Sequence, residues 1–254
     1  MLDTPWLSEL LSSPWLIAYV VITFAAAGLV KGTIGVGLPL LAVPLLALVL
    51  PPMTAIALLA VPVLASNIWQ AIDGQGSTAN LRRFMPLCLL LVVSTLVSVR
   101  LAFALPADVV TTLIAASVLC AVVLMLVHNS RGIAPRHESW LGPIVGVLAG
   151  AMGGVSSMTG PFIITYMMGL KLPREVFIGS ISIIYLFGMI PLYASMVVYG
   201  TLGLGEAVVS VAGLLPLAGG MILGKKLRQR LGELAFRRML LAFLACLALL
   251  LMTR

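Results

Sequence analysis

Lys31 is the only charged residue in an apolar stretch that runs from residue 15 to residue 50. An ionisable side chain at membrane depth is costly and by default marks a substrate or ion pathway. A lysine there attracts an anion. Backbone N–H groups freed at Gly32, Gly35 and Gly37, at the start of a half-helix, can bind that anion's oxygens. The structural alternative is a lysine whose four-carbon stem lies along the helix and carries the ammonium to the interface. A second cluster consists of hydroxyls. Ser156, Ser157 and Thr159 follow Gly153 and Gly154 and precede Pro161, a residue suited to the first turn of a new helix. Neutral donors of this kind can hold a sulfonate or carboxylate without making release slow, and they can equally bond between helices. Polar residues also mark the helix after each of these stretches: Ser66, Asn67 and Gln70 on the first, Ser180, Ser182 and Tyr185 on the second. Asn67 leads this group because its amide is expensive in lipid; Ser66, Gln70, Ser180 and Tyr185 are secondary candidates.

These residues are embedded in a chain of 254 residues that is 61% hydrophobic and 9% charged, with a net charge of +7. Ordinary soluble domains carry about 25% charged residues. So few charges cannot cover a water-facing surface, which excludes a soluble enzyme, a nucleic-acid binder and a disordered tail. The fold class is an all-α polytopic membrane protein. Cations cluster at the ends of apolar runs, where they pin helices at headgroups. Trp69 and Trp140 read as interface anchors. Cys88, Cys120 and Cys246 lie apart in apolar segments and read as packing residues. His128 and His137 flank a polar loop. No metal or cofactor is expected. Asp3 and Glu9 occupy the region where a secretory signal would be basic, so no cleaved leader is expected.

Uncharged apolar runs of span length occur at 53–71, 85–105, 109–127, 175–199, 207–223 and 239–252. Pro62 and Pro191 predict kinks. The stretches 15–50 and 141–170 are too long for one crossing and are broken by glycine and proline. Each reads as a re-entrant hairpin entering and leaving on one face. With that reading, Arg82, Arg83, Arg131, Arg136, Lys171, Arg174 and the six cations of 225–238 fall on one side, expected to be cytoplasmic. That is 12 of the 15 cations. Reading 141–170 as one crossing would put the six-cation loop outside.

The two halves repeat. Gly28, Gly32, Gly35 and Pro44 are echoed about 118 residues later by Gly146, Gly150, Gly153 and Pro161, which sets Ala149 opposite Lys31. Glycines at such spacings also let helices pack closely, but the pattern recurs beside prolines in both halves. The expected organisation is an N-terminal segment 1–14, a first repeat 15–128, a linker 129–140 and a second repeat 141–254. Each repeat holds a broken hairpin and three spans, an odd number of full crossings, so the repeats are inverted. Inverted repeats with broken helices are a transporter architecture, with substrate near the midplane where the breaks meet.

Gly28-Leu-Val-Lys-Gly-Thr-Ile-Gly-Val-Gly-Leu-Pro39, with Pro44, resembles the opening motif of the TauE/SafE sulfite exporter family, and 146–161 resembles its second motif. The resemblance covers nearly the whole chain in segment order and length. Val155-Ser-Ser-Met-Thr159 departs from the glycine or small apolar run typical there. The resemblance implies export of sulfite, organosulfonates or related small anions from a bacterial inner membrane.

Every acid outside the N-terminal segment sits at a segment end (Asp73, Asp108, Glu138, Glu175, Glu206 and Glu233), so no carboxylate relay for proton coupling is visible. The membrane potential itself favours anion exit by about 2.3 kcal/mol per charge per 100 mV. The expected function is a secondary exporter of a small oxyanion. Its partners are that anion and the lipid bilayer, without nucleic acid, and homo-oligomerisation is left open. A passive anion channel and a non-transporting assembly subunit are the alternatives. An intramembrane enzyme would need a base beside Ser156 or Ser157, and neither histidine lies at membrane depth.

Overall fold

The computed structural model describes residues 5–34, 37–73, 78–126, 132–230 and 233–252. All regular structure among them is helical. In chain order the helices are α1 (Pro5–Ser12), α2 (Pro14–Ile34), α3 (Leu38–Leu46), α4 (Pro52–Ala57), α5 (Ala60–Asp73), α6 (Thr78–Ala104), α7 (Ala107–Leu126), α8 (Pro135–Ser156), α9 (Gly160–Gly169), α10 (Arg174–Val198), α11 (Leu204–Ala212), α12 (Leu214–Arg230) and α13 (Glu233–Met252). Among the described residues seven segments are long and apolar enough to cross a membrane: Pro14–Thr33, Pro52–Ile72, Arg82–Ala104, Ala107–Leu126, Arg136–Ser156, Gly179–Val198 and Leu204–Leu227. Leu240–Met252 is a shorter apolar helix.

Helices dominate because the hydrocarbon core offers backbone groups no water, and a helix satisfies them within its own segment. The faces then sort by what they touch. On α6, Leu87, Leu91, Thr95 and Ser98 recur at helical spacing and are buried, while Leu89, Val93, Leu96 and Val97 are exposed. Both faces are largely apolar; the buried one carries the small polar groups.

The chain forms two compact units. One comprises residues 1–63, 107–119 and 196–254, the other 64–106 and 120–195. Neither unit is a sequence half: each combines the hairpin of one half with helices of the other.

In the first unit α2 packs on α12. The approach is so close that a Cβ on Gly28 would lie 2.2 Å from the Leu217 carbonyl oxygen, and one on Gly32 2.3 Å from that of Met221. Gly220 and Gly224 of α12 reciprocate against the Ala25 and Leu29 carbonyls, at 2.0 and 2.3 Å. This is the small-xxx-small contact of membrane helices. Beyond the end of α2, α3 folds back along it, and the Tyr19 hydroxyl donates to the Leu45 carbonyl at 2.8 Å. The helix expected at 53–71 is interrupted at Leu58 and Leu59, with Pro62 in the first turn of α5, where its missing N–H costs nothing. The Val61 N–H just beyond the interruption donates to the Ser210 hydroxyl of α11 at 3.0 Å. Helix α1 docks through buried Leu7 and Leu10, and the Trp6 indole N–H donates to Glu206 at 2.8 Å. Glu206 does sit at a helix start, as its position in the sequence suggests, yet it is buried.

In the second unit α8 packs on α6 in the same manner. Gly146, Gly150 and Gly154 face the Leu87, Leu91 and Thr95 carbonyls, at 2.4, 2.6 and 2.8 Å from their would-be Cβ atoms. Ser94 and Ser98 of α6 donate to the Val147 and Gly150 carbonyls of α8, at 2.7 and 2.9 Å. Helix α9 folds back along α8: the Ile133 N–H donates to the Gly169 carbonyl at 2.7 Å. Ile163, Tyr166 and Met167 of α9 join Phe84, Leu87 and Leu91 of α6 in one core.

Each glycine-rich stretch thus comprises a long helix and a short one that turns back along it, of 21 and 9 residues in the first and 22 and 10 in the second. The long arm, at 1.5 Å per residue, reaches about 30 Å, and the short arm about half of that. Gly219→Ala and Gly220→Ala test the packing. A Cβ at Gly219 meets nothing within 4 Å. Gly219→Ala should therefore keep or raise the melting temperature in detergent, helix propensity alone favouring Ala by up to about 1 kcal/mol. Gly220→Ala, one residue on, should destabilise by about 1–3 kcal/mol because backbone must move aside.

Candidate functional site

The second hairpin breaks where α8 yields to α9. The last turn of α8 closes with the Ser157 N–H donating to the Gly153 carbonyl at 2.7 Å, and Ser157 adopts a left-handed conformation at φ 59°. Residues 157–159 are not helical, and α9 starts at Gly160 with Pro161 in its first turn. Ser156, Ser157 and Thr159 are all buried.

Their hydroxyls face different tasks. Ser156 donates to the Met152 carbonyl of its own helix at 2.7 Å, a local bond. The Ser157 hydroxyl lies 3.2 Å from the Tyr193 hydroxyl and 3.5 Å from the Met189 sulfur, both on α10. The Thr159 methyl fills the space a Cβ would take at Gly153, 2.3 Å away, and presses on Gly188 of α10, 3.1 Å from a Cβ there. Gly153 and Gly188 therefore let the break be enclosed by α8 and α10.

The Tyr185 hydroxyl lies against the start of α9, 3.1 Å from where a Gly160 Cβ would be. It is buried and has no hydrogen-bond partner among the described residues; the same holds for Ser180 and Thr95. A buried unpaired hydroxyl costs about 1–3 kcal/mol and calls for a further partner. The first N–H groups of a helix also lack intrahelical acceptors, and Thr159, at the N-cap of α9, makes no side-chain cap bond. Around the start of α9 the second unit thus assembles uncharged O–H and N–H donors suited to an oxyanion.

At the first break α2 ends at Ile34, and α3 begins at Leu38 after Gly37 in a left-handed conformation, φ 101°. Gly35 lies outside the described residues. Pro39 occupies the first turn of α3, as Pro161 does in α9. Pro44 lies inside α3. Counted back from the helix ends, Gly28 and Gly32 correspond to Gly150 and Gly154, and Lys31 to Gly153. The ends of α2 and α8 thus lie one helical turn further apart in the chain than the 118-residue offset that sets Ala149 opposite Lys31, and α8 carries a third glycine in its packing stripe. Lys31 itself is 6% exposed, one turn before the end of α2. Gly32 and Gly154 present their bare faces to neighbouring backbone.

Of the remaining candidates, Asn67 on α5 is buried and Ser66 and Gln70 are half-buried. Ser180 is buried on α10. Trp69 and Trp140 are well exposed, the positions interface anchors require. Sequence reading missed Tyr193, Met189 and Gly188. The signal was available: Tyr185, Met189 and Tyr193 are spaced four apart, one face of α10, and that face meets the break. No group of three or more His, Cys, Asp or Glu that could hold a metal exists among the described residues. The three cysteines are free.

Long apolar helices, glycine-mediated packing and interrupted short arms define a polytopic helical membrane protein. The family model "Sulfite exporter TauE/SafE" matches residues 20–251, and the chain belongs to that family. It is a membrane transporter and not an enzyme. No curated protein and no solved structure matches the chain.

The conformation of Ser157 yields a paired expectation. Ser157→Gly should fold with a melting temperature within about 2–4 °C of the parent, since glycine adopts positive φ freely. Ser157→Val, β-branched at that φ, should lose about 1–2 kcal/mol, read as a lower detergent melting temperature.

Proposed function

We propose that the protein exports a small sulfur or organic oxyanion (sulfite, an organosulfonate or a small carboxylate) from a bacterial cell by alternating access. Family membership supports the class. The observation that carries the reading is the Tyr185 hydroxyl at the start of α9, without a hydrogen-bond partner among the described residues, on the helix whose Tyr193 meets Ser157 at the break. Uncharged donors recognise an oxyanion yet release it, which a carrier needs at every cycle. Lys31, buried beside the first break, supplies the positive charge that draws an anion into low dielectric. The remaining candidates, among them Gly32, Gly35, Gly37, Asn67, Gly153, Gly154 and Thr159, shape the two breaks. The potential of a negative-inside cell drives exit, at about 2.3 kcal/mol per charge per 100 mV.

The reading includes two inverted repeats. Each hairpin's long arm packs on a helix from the other half: α2 on α12, and α8 on α6. Helices α6 and α12 hold equivalent places in their halves, so the exchange is reciprocal, as a pseudo-two-fold arrangement requires. Arg82, Arg83, Arg136, Lys225 and Lys226 face the cytoplasm in this topology.

Efflux of sulfite, sulfonates and carboxylates from proteoliposomes under an imposed potential tests the function. Saturable, voltage-sensitive efflux is expected, falling at least about tenfold in Tyr185→Phe and in Lys31→Ala, the loss of one charge-assisted or buried hydrogen bond. Flux linear in concentration identifies a channel, and no flux of any oxyanion identifies an assembly subunit. Topology is read by labelling single cysteines placed at Arg82 and Lys226 in intact cells. Both should resist membrane-impermeant reagent; labelling of only one would end the inverted-repeat reading.

A further inference from the structure

At the N-terminal ends of α6 and α8, about 27 Å along α8 from the break, the second unit holds a cavity of about 310 Å³. Its lining includes Arg83, Glu138 and Ser139 towards the outside and Phe84, Leu87 and Tyr166 at its floor. That volume is at the lower end of those that hold small organic ligands.

We propose that this cavity binds the phosphate headgroup of an anionic phospholipid, such as phosphatidylglycerol. Arg83 pairs with Glu138 through Nε and through Nη2, the latter 2.6 Å from Oε2. Both bonds use one edge of the guanidinium. The Nη1–Nη2 edge stays available for a second oxyanion, and a guanidinium fork matches phosphate geometry. The Ser139 hydroxyl adds a donor at the rim, and the Tyr166 hydroxyl, 3.4 Å from the Glu138 carbonyl, adds a polar group at the floor.

The walls choose between a lipid and a free ion. Phe84 and Leu87 give the floor an apolar part, which a small inorganic oxyanion would leave facing water. An amphiphile satisfies both ends, with its phosphate at the rim and its glycerol and first methylenes against the floor. Charge chooses between lipids. Arg82 on α6, Arg136 on α8 and Lys171 just beyond α9, all exposed, join Arg83, and Glu138 is the acid in the cavity lining. Such an excess of cations attracts acidic headgroups at the membrane surface. Trp140, 51% exposed one residue from Ser139, marks the depth as that of the headgroup layer.

The test uses the full chain in neutral detergent, with lipid retention read by native mass spectrometry and melting temperature read in parallel. Phosphatidylglycerol should be retained and should raise the melting temperature. Phosphatidylcholine, inorganic phosphate and glycerol 3-phosphate at the same concentration should do neither. Arg83→Gln and Ser139→Trp should each weaken phosphatidylglycerol binding at least about tenfold, one by removing the fork and the other by filling the rim. Ser139 is exposed, so its replacement leaves the core intact and serves should Arg83→Gln fold poorly. Unchanged retention in Ser139→Trp would reduce the lipid to a non-specific annulus and overturn the proposal. Equal affinity for glycerol 3-phosphate or phosphate would instead make this a soluble-oxyanion site, and equal affinity for phosphatidylcholine would remove the charge argument. Transport activity enters none of these readouts, so the proposal stands or falls apart from the transport reading.

Discussion

Backbone left unwound in a bilayer finds no water, so each N–H and C=O that a broken helix releases has to be covered by protein. Two breaks therefore require two enclosures. In this chain the enclosures depend on helices that approach until only glycine fits. Gly28 and Gly32 set α2 directly on α12, and Gly146, Gly150 and Gly154 set α8 on α6. With the long arms clamped, the short arms α3 and α9 fold back along them, tied by Tyr19 to Leu45 and by Ile133 to Gly169. Gly153 and Gly188 then admit the Thr159 methyl, which seals the second break. A methyl added at almost any of these points would push apart the walls on which the next contact depends.

Within the enclosure of the second unit the polar groups are uneven in how fully they are satisfied. Ser156 bonds its own helix, Ser157 meets Tyr193, and the Tyr185 hydroxyl has no hydrogen-bond partner among the described residues. That gradient is informative because buried polar atoms are nearly always paired. A purely structural hydroxyl would resemble Ser98, which donates to the Gly150 carbonyl and helps hold two helices together. Tyr185 carries a desolvation cost without such a return, and it does so beside a helix start whose own first N–H groups lack intrahelical acceptors.

Much of this was legible in residue types. The scarcity of charge required a membrane, and the glycine and proline interruptions marked both helix breaks. Ser157 and Tyr185 were visible as hydroxyls in apolar surroundings. The register between halves was not legible. Matching glycine to glycine gives an offset of 118 residues, whereas the helix ends give one turn more, and α8 repeats its packing glycine three times and α2 twice within the compared stretch. A packing stripe is periodic by nature, and a periodic signal cannot fix its own phase. The partners of the stripes were equally hidden: nothing local in Gly28 indicates that Leu217 will face it.

The chain's chemistry by itself determined a helical membrane protein with two interrupted segments, a lone lysine beside one and hydroxyls beside the other. Those follow from solvation, since lipid forbids scattered charge and open backbone. Tertiary structure alone decided that each compact unit joins a hairpin from one half to helices from the other. It also decided that Tyr193 and Met189 meet Ser157, that Glu206 is buried under Trp6, and that Arg83 and Glu138 frame a cavity. Such contacts depend on which surfaces fit at close range, and shape complementarity between distant segments leaves no mark in the composition or period of either one.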